Sequence, residues 1–357
     1  MQKDLLKLLD LSKEDILNIL NTADQLKYNQ KHGIVHDYLH GKTLAMIFEK
    51  NSTRTRVSFE TGMFQLGGHA LFLSGKESQI GRGEPVEDTA RVLDRYCDGI
   101  MIRTFAQEEV EELARFTTIP IINGLTDFCH PCQVLADLMT VREHKAVLEG
   151  LKICYIGDGN NMANSLIVGG LKCGMEVAVA CPEGYDPDQQ VLDFAHSDPS
   201  FKFSLHRAPK DAAVDADVVF TDVWASMGQE EERAVRAKAF AGYQINQELM
   251  ALTHPDCMVQ HCLPAHRGEE ITADVFEAHA QEIFDEAENR LHAQKAVMYL
   301  LMKNKEDYPP IVAPVIARRA TPDVAIRSSS YLPPPLGEVP SAYTGRRGPA
   351  AFGRPQI

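Results

Sequence analysis

At 357 residues, with a hydrophobic share of 44% and a charged share of 24%, the chain has a globular composition and is too long for one small core, so two domains are expected. Its formal net charge of -14 sets it against nucleic acid and anionic membrane surfaces, and an anionic substrate would need a local cluster of arginines. No apolar run approaches the ~18 residues of a membrane helix, and eight scattered cysteines beside an N-terminus of mixed charge point to reduced thiols in a cytoplasmic protein.

Ser12-Lys13-Glu14-Asp15 reads as a helix cap with an acidic first turn, leading into Ile16, Leu17, Ile19 and Leu20. Thr43 to Phe48 then forms an apolar strand, and Asn51-Ser52-Thr53-Arg54-Thr55-Arg56 turns it into a helix carrying Phe59, Met63 and Leu66. Hydroxyls at Ser52, Thr53 and Thr55, helix-start N–H groups and the fork of Arg54 suit a phosphate. The helix dipole is worth about 0.3 to 1 kcal/mol to such an anion, and each charge-assisted bond about 1.5 to 3. An ordinary cap does not require three hydroxyls and two arginines in five residues. The role of Arg56, ligand contact or loop brace, stays open.

The helix should stop at Gly67-Gly68. Ser78 to Glu84 reads as a polar loop able to reach a neighbour, and Pro85 as the first turn of a helix with Val86, Ala90, Leu93 and Cys97 inward. Gly99 to Ile102 is a buried strand with Arg103 at its exit, and Ile119 to Ile122 is another, followed by Asn123-Gly124. Cys129-His130-Pro131-Cys132-Gln133 then opens an amphipathic helix with Val134, Leu138 and Val141.

A second unit runs through strands at 151–156, 176–181, 217–221 and 258–261. Gly157 to Asn161 follows the first of these, Asp222 the third and Cys262 the fourth. A final helix is expected from Glu286 to Asn304, carrying Arg290. From Lys305 onward the chain holds 10 of the 19 prolines with no periodicity, so 305–357 is expected to be a disordered tail without function. Alternating strands and helices imply an α/β fold of two domains, each a parallel β-sheet flanked by helices, with the active site in the cleft between them. Ser52 to Arg56, Arg103, His130, Asn161, Asp222 and Cys262 all follow strand ends, where such sheets bind ligands.

Three motifs invite other readings. Gly157-Asp158-Gly159 lacks the third glycine of a dinucleotide fingerprint, since Met162 stands there, and Cys181-Pro182 end the strand where a ribose-binding acid belongs. Cys129 and Cys132 have the spacing of a redox pair at a helix start, where a thiolate would be stabilised, but that leaves Ser52 to Arg56 unused. His261, Cys262 and His266 could take zinc, yet His261 and Cys262 should point to opposite faces of a strand. Neither a metal nor a cofactor is expected.

Together these stretches resemble the ornithine carbamoyltransferases over about 300 residues, Met1 to Asn304, in Ser52-Thr53-Arg54-Thr55-Arg56, His130-Pro131-Cys132-Gln133, Asp222 to Gly228 and His261-Cys262-Leu263-Pro264. The first two motifs are shared with the aspartate-specific branch, and the Ser226-Met227-Gly228 loop and the last motif belong to the ornithine branch. The resemblance implies a carbamoyl-phosphate-binding domain at 1–147, an ornithine-binding domain at 148–285 and a helix at 286–304 packing back on the first. It implies that Ser52, Thr53, Arg54, Thr55 and Arg103 hold the phosphate, and His130, Gln133 and Arg290 the carbamoyl end. Asn161, Asp222, Ser226 and Met227 would bind the amino-acid end of ornithine, with Cys262 and Leu263 beside its reacting amine. Gln79 would reach carbamoyl phosphate from a neighbouring subunit of a homotrimer. Arg103, His130, Cys262 and Arg290 are the implied catalytic residues. A carbamoyltransferase for putrescine or acylated ornithine, and a catalytically dead binding protein, are the competing readings.

Overall fold

The computed structural model describes residues 2–75, 83–225 and 230–303, all within one compact unit. Gln79, Ser226, Met227, most of the 78–84 loop and the tail lie outside the described residues.

The first half contains strands β1 (Thr43–Phe48), β2 (His69–Ser74), β3 (Gly99–Arg103) and β4 (Ile121–Leu125). Helices α1 (Lys13–Lys31), α2 (Thr53–Gln65), α3 (Val86–Tyr96), α4 (Gln107–Phe116) and α5 (Pro131–Lys145) surround them. The second half has β5 (Lys152–Ile156), β6 (Glu176–Ala180), β7 (Lys202–His206), β8 (Val218–Thr221) and β9 (Met258–His261). Its helices are α6 (Asn161–Lys172), α7 (Gln189–Ala195), α8 (Pro209–Ala213), α9 (Arg233–Ala239), α10 (Gln247–Met250), α11 (Ala273–Ala278) and α12 (Ala280–Met302).

Both sheets are parallel throughout, ordered β2-β1-β3-β4 and β7-β6-β5-β8-β9. This is the expected fold class. Each order reverses once, between β1 and β3 and between β5 and β8. Crevices at such reversals, outside the carboxyl ends of the strands, are where open α/β sheets bind ligands.

Local chemistry accounts for the start of α1. Ser12 Oγ accepts from Asp15 N at 3.1 Å and Asp15 Oδ2 from Ser12 N at 3.3 Å, a complete capping box. The β-branched and apolar residues of β1, β3, β5 and β8 are buried on both faces, as covered parallel strands should be. One apolar core runs from the first sheet through α5 and α6 to the second, joining Met101, Val134, Leu138, Leu166 and Val177. Each such fully buried side chain is worth about 1.5 to 3 kcal/mol. Gly169 permits the close α5–α6 approach, because a Cβ there would meet Val134 Cγ1 at 2.7 Å.

Several boundaries differ from expectation. The fourth strand lies at Ile121–Leu125 and takes in Asn123-Gly124, expected to follow a strand at 119–122. Asn123 fits there because its amide donates to Leu6 O at 2.8 Å, and a Cβ on residue 124 would stand 2.7 Å from Met101 Sδ. Helix α5 is buried on every side from Pro131 to Val141 instead of being amphipathic, since α1, α6, α12 and β4 all pack on it. The last helix starts at Ala280, six residues before the expected Glu286, and packs on α1, α2 and α5.

Candidate active site

Both topological reversals open on one cleft of about 750 Å³. The β1–α2 turn contributes Ser52, Thr53, Arg54 and Thr55, β3 contributes Arg103, and the start of α5 contributes His130 and Gln133. From the second half come Asn161, Asp222, Cys262 and Leu263, and from α12 Arg290. Every predicted site residue among the described residues therefore lines the same cleft. A second cavity of about 770 Å³ shares Asp127 and Asn160 with it but contains none of the predicted residues.

The α2 turn is organised by its own cap. Ser52 is extended (φ -162°) and its Oγ accepts from Thr55 N at 3.2 Å, so the free helix-start N–H groups face the cleft. Thr55 is buried, and its Oγ1 accepts from Arg290 Nη2 at 3.3 Å. Arg54 crosses the cleft to donate from Nη2 to Leu263 O at 2.5 Å. Arg56 turns away: it pairs with Glu60 at 2.9 Å and stacks 3.7 Å from the Phe72 ring centre, so it braces the loop.

Three guanidinium groups thus meet around a buried imidazole. Burial, then the nearby Arg290 and Arg54, push Arg103 down to about 9, and its Nε has no hydrogen-bond partner among the described residues. Burial and the charges of Arg290, Arg103 and Arg54 hold His130 well below its ordinary range, so its ring is neutral, with Nδ1 unpartnered. Its backbone N–H donates to Ser165 Oγ at 2.8 Å. Arg290 Nη1 donates to Gln133 Oε1 at 2.5 Å, and Gln133 Nε2 donates to both Asp137 Oδ1 and Glu286 Oε1 at 2.8 Å. Crowded cations with an orphaned donor form a site for an anion.

The opposite wall carries the acidic side. Asp222 Oδ2 accepts from Asn160 Nδ2 at 3.1 Å, and Oδ1 accepts from the Cys262 thiol at 3.0 Å. Burial and that carboxylate push the Cys262 thiol well up, so it is a neutral donor. Asn161 Nδ2 donates to Thr126 O at 2.7 Å and ties the two halves together. Leu263 adopts positive φ (57°) ahead of Pro264, and its N–H donates to His261 Nδ1 at 2.9 Å. That leaves Nε2 of His261 to carry the proton and donate to Glu270 Oε1 at 3.0 Å.

This geometry corrects the strand argument against zinc. Ligand atoms of Asp222, His261 and Cys262 lie within 4.8 Å of one another, because β9 ends at His261 and the chain turns before alternation can separate the next side chain. Both His261 nitrogens and the thiol are already engaged, however, so a metal would have to break a buried pair. The Cys129 and Cys132 thiols are also not stabilised as thiolates. Burial pushes each up to about 12, and Cys132 donates to Asn123 O at 3.4 Å. Asp158, in the apparent dinucleotide loop, is paired at 2.6 Å with Arg236, which also holds Trp224 O at 3.1 Å.

Sequence reasoning missed Asn160, Asp137 and Glu286. Asn160 caps α6, accepting from Met162 N at 2.9 Å, while holding Asp222. Asp137 and Glu286 stand four residues from Gln133 and Arg290 on their helices, a spacing that places them on the same face.

The descriptions "Aspartate/ornithine carbamoyltransferase, carbamoyl-P binding domain" and "Aspartate/ornithine carbamoyltransferase, Asp/Orn binding domain" match residues 3–143 and 149–301. The chain belongs to the aspartate/ornithine carbamoyltransferase family. Within that family it is 59% identical over 302 residues to the ornithine carbamoyltransferase of Syntrophotalea carbinolica, covering 85% of this chain and 100% of that one. It is 56% identical over 303 residues to the one from Geobacter metallireducens, with the same coverages. The solved ornithine carbamoyltransferase from Pyrococcus furiosus superposes with a TM-score of 0.80 at 53% identity, covering 84% of this chain and 96% of that one. The cleft described above thus lies between the halves matched to the family's two domains.

Proposed function

We propose that this enzyme transfers the carbamoyl group of carbamoyl phosphate to the side-chain amine of L-ornithine, giving L-citrulline and phosphate, in arginine metabolism. The observation that carries the reading is the polarity of one cleft. Arg54, Arg103 and Arg290 crowd one side, and the Asp222–Cys262 pair stands on the other.

In this reading Ser52, Thr53, Arg54, Thr55 and Arg103 take the phosphate, while His130, Gln133 and Arg290 take the carbamoyl end. Phosphate binding offsets the mutual repulsion of the guanidinium groups. Thr55, Arg103 and neutral His130 polarise the carbonyl and stabilise the oxygen charge of the tetrahedral intermediate. Ornithine's reacting amine, with an ordinary pKa of about 10.4, must be neutral to attack, and a dry cleft rich in positive charge favours that form. Attack forms the C–N bond, collapse breaks the C–O bond to phosphate, and the departing phosphate, its charge stabilised by Arg54 and its neighbours, takes the proton that the amine nitrogen loses. No nucleophilic side chain is required.

Asp222 and Asn161 select a free α-amino acid, with Ser226 and Met227 completing that end. Cys262 and Leu263 flank the reacting amine. We place the domain limits at 1–147 and 148–285, with 286–304 returning to the first domain. We further assign a cytoplasmic homotrimer in which Gln79 reaches a neighbour's site. Val57, Phe64, Leu71 and Phe72 form exposed apolar surface along α2 and edge strand β2, which supports a subunit contact there. No helix among the described residues is long and apolar enough to cross a membrane. Citrulline release from ornithine, compared with product from putrescine, tests the function.

A further inference from the structure

Strand β9 lies at the edge of its sheet, paired only with β8, so its outward N–H groups need partners from elsewhere. A buried N–H left unmet costs about 1 to 3 kcal/mol. Two of them are met by α12: Val259 N donates to Glu282 Oε2 at 2.8 Å, and His261 N to Glu286 Oε2 at 3.0 Å. Residues two apart on a strand and four apart on a helix are each spaced by about 6 Å, so the acceptors match the donors.

The two glutamates differ in what else they touch. Glu282 Oε2 also meets His279 Nδ1 at 2.8 Å, away from the cleft. Glu286 is buried, and its Oε1 accepts from Gln133 Nε2 at 2.8 Å while Gln133 Oε1 accepts from Arg290. One carboxyl group therefore holds the residue facing the carbamoyl group and the backbone amide that precedes Cys262.

We infer that Glu286 is a positioning residue for the carbamoyl transfer, setting the distance between Gln133 and Cys262 and hence between the carbamoyl carbon and the attacking amine. The inference rests on the assignment of Gln133 and Cys262 given under the proposed function. Burial and the neighbouring Asp137 hold the Glu286 carboxyl well above its ordinary range, and a carboxyl group suits this role because it presents one oxygen to each donor. An amide accepts through only one, and an aspartate is a methylene too short to reach both. A misplacement of about 1 Å at the reacting atoms can cost about a hundredfold in rate.

The test uses the full chain with Glu286→Gln, Glu286→Asp and, as control, Glu282→Gln, measuring Tm, kcat and the KM for carbamoyl phosphate. Glu286→Gln should raise that KM and lower kcat by about tenfold each with Tm within a few degrees of the parent. Glu282→Gln should lower Tm and move neither kinetic constant beyond about twofold. In a Gln133→Ala background Glu286→Gln should cost less than about threefold, because its effect runs through Gln133. Glu286→Asp decides the matter if Glu286→Gln does not fold. Parent-like kinetics in a folded Glu286 variant, losses matching those of the control, full additivity with Gln133→Ala, or failure of both Glu286 variants to fold each overturn the inference. A parent chain that releases no citrulline overturns the site assignment itself, which is a separate result.

Discussion

The thiol of Cys262 donates to Asp222 Oδ1 across 3.0 Å, and the carboxylate that receives it also raises the thiol's pKa. A thiol so held orients its neighbours and does not act as a covalent nucleophile. Cys262→Ser keeps a donor of nearly the same reach and should lose less than about tenfold in kcat. Iodoacetamide at pH 7 should alkylate Cys262 more slowly than a free cysteine, as mass spectrometry can read. Fast alkylation at pH 7, or a loss beyond about a thousandfold in Cys262→Ser, contradicts this role.

Arg54 should be needed for the phosphate. It reaches Leu263 O at 2.5 Å, so one guanidinium spans both walls of the cleft. Arg54→Ala removes one charge-assisted interaction and should weaken carbamoyl phosphate binding or turnover about ten- to a hundredfold. Steady-state kinetics with parent-like constants would remove Arg54 from the site.

Much of this site was legible in the chain because its parts are local. The Ser52 cap, Pro131 at the head of α5 and the residues after each strand depend on a few neighbours in sequence, and strand ends in such sheets collect ligands. What escaped was set by distant packing. Strands β2 and β7 lie at sheet edges where none of their residues is fully buried, and the N-terminal extension of α12 is decided by its seat on α5. The His261–Cys262 relation failed for a similar reason. The strand ended one residue earlier than alternation assumed, and the turn at Leu263 is held by a side chain.

Asp137 should contribute stability that falls as pH rises through neutrality, against the opposite contribution of the buried His130, whose pKa is lowered. Burial pushes its carboxyl up to about 7 from an ordinary 3.8, and burial and Asp137 raise the adjoining Glu286 as well, so the folded pair keeps a proton that the unfolded chain releases. Its contribution is fully present below about pH 4 and is lost as pH passes about 7. Asp24, raised by burial to about 6, acts in the same direction. Asp137→Asn should therefore make the urea midpoint fall less, or rise more, from about pH 5 to pH 8 than it does in the parent. An unchanged slope would show that Asp137 does not hold that proton.

Gln79 should act on a neighbouring subunit. An inactive Gln79→Ala protein mixed with an inactive Arg54→Ala protein should regain activity in hybrid trimers, because some sites then combine an intact Gln79 with an intact Arg54. Subunit exchange followed by mass spectrometry without any recovery would place Gln79 outside the shared site.

The central claim is that the arginine-lined and Asp222–Cys262 walls of one cleft bring carbamoyl phosphate and a free amino acid together. A colorimetric citrulline assay with ornithine and putrescine as rival acceptors tests it most directly. Citrulline from ornithine, with at most about one hundredth of that rate for putrescine, is the predicted result. No citrulline, or a faster reaction with putrescine, would contradict it.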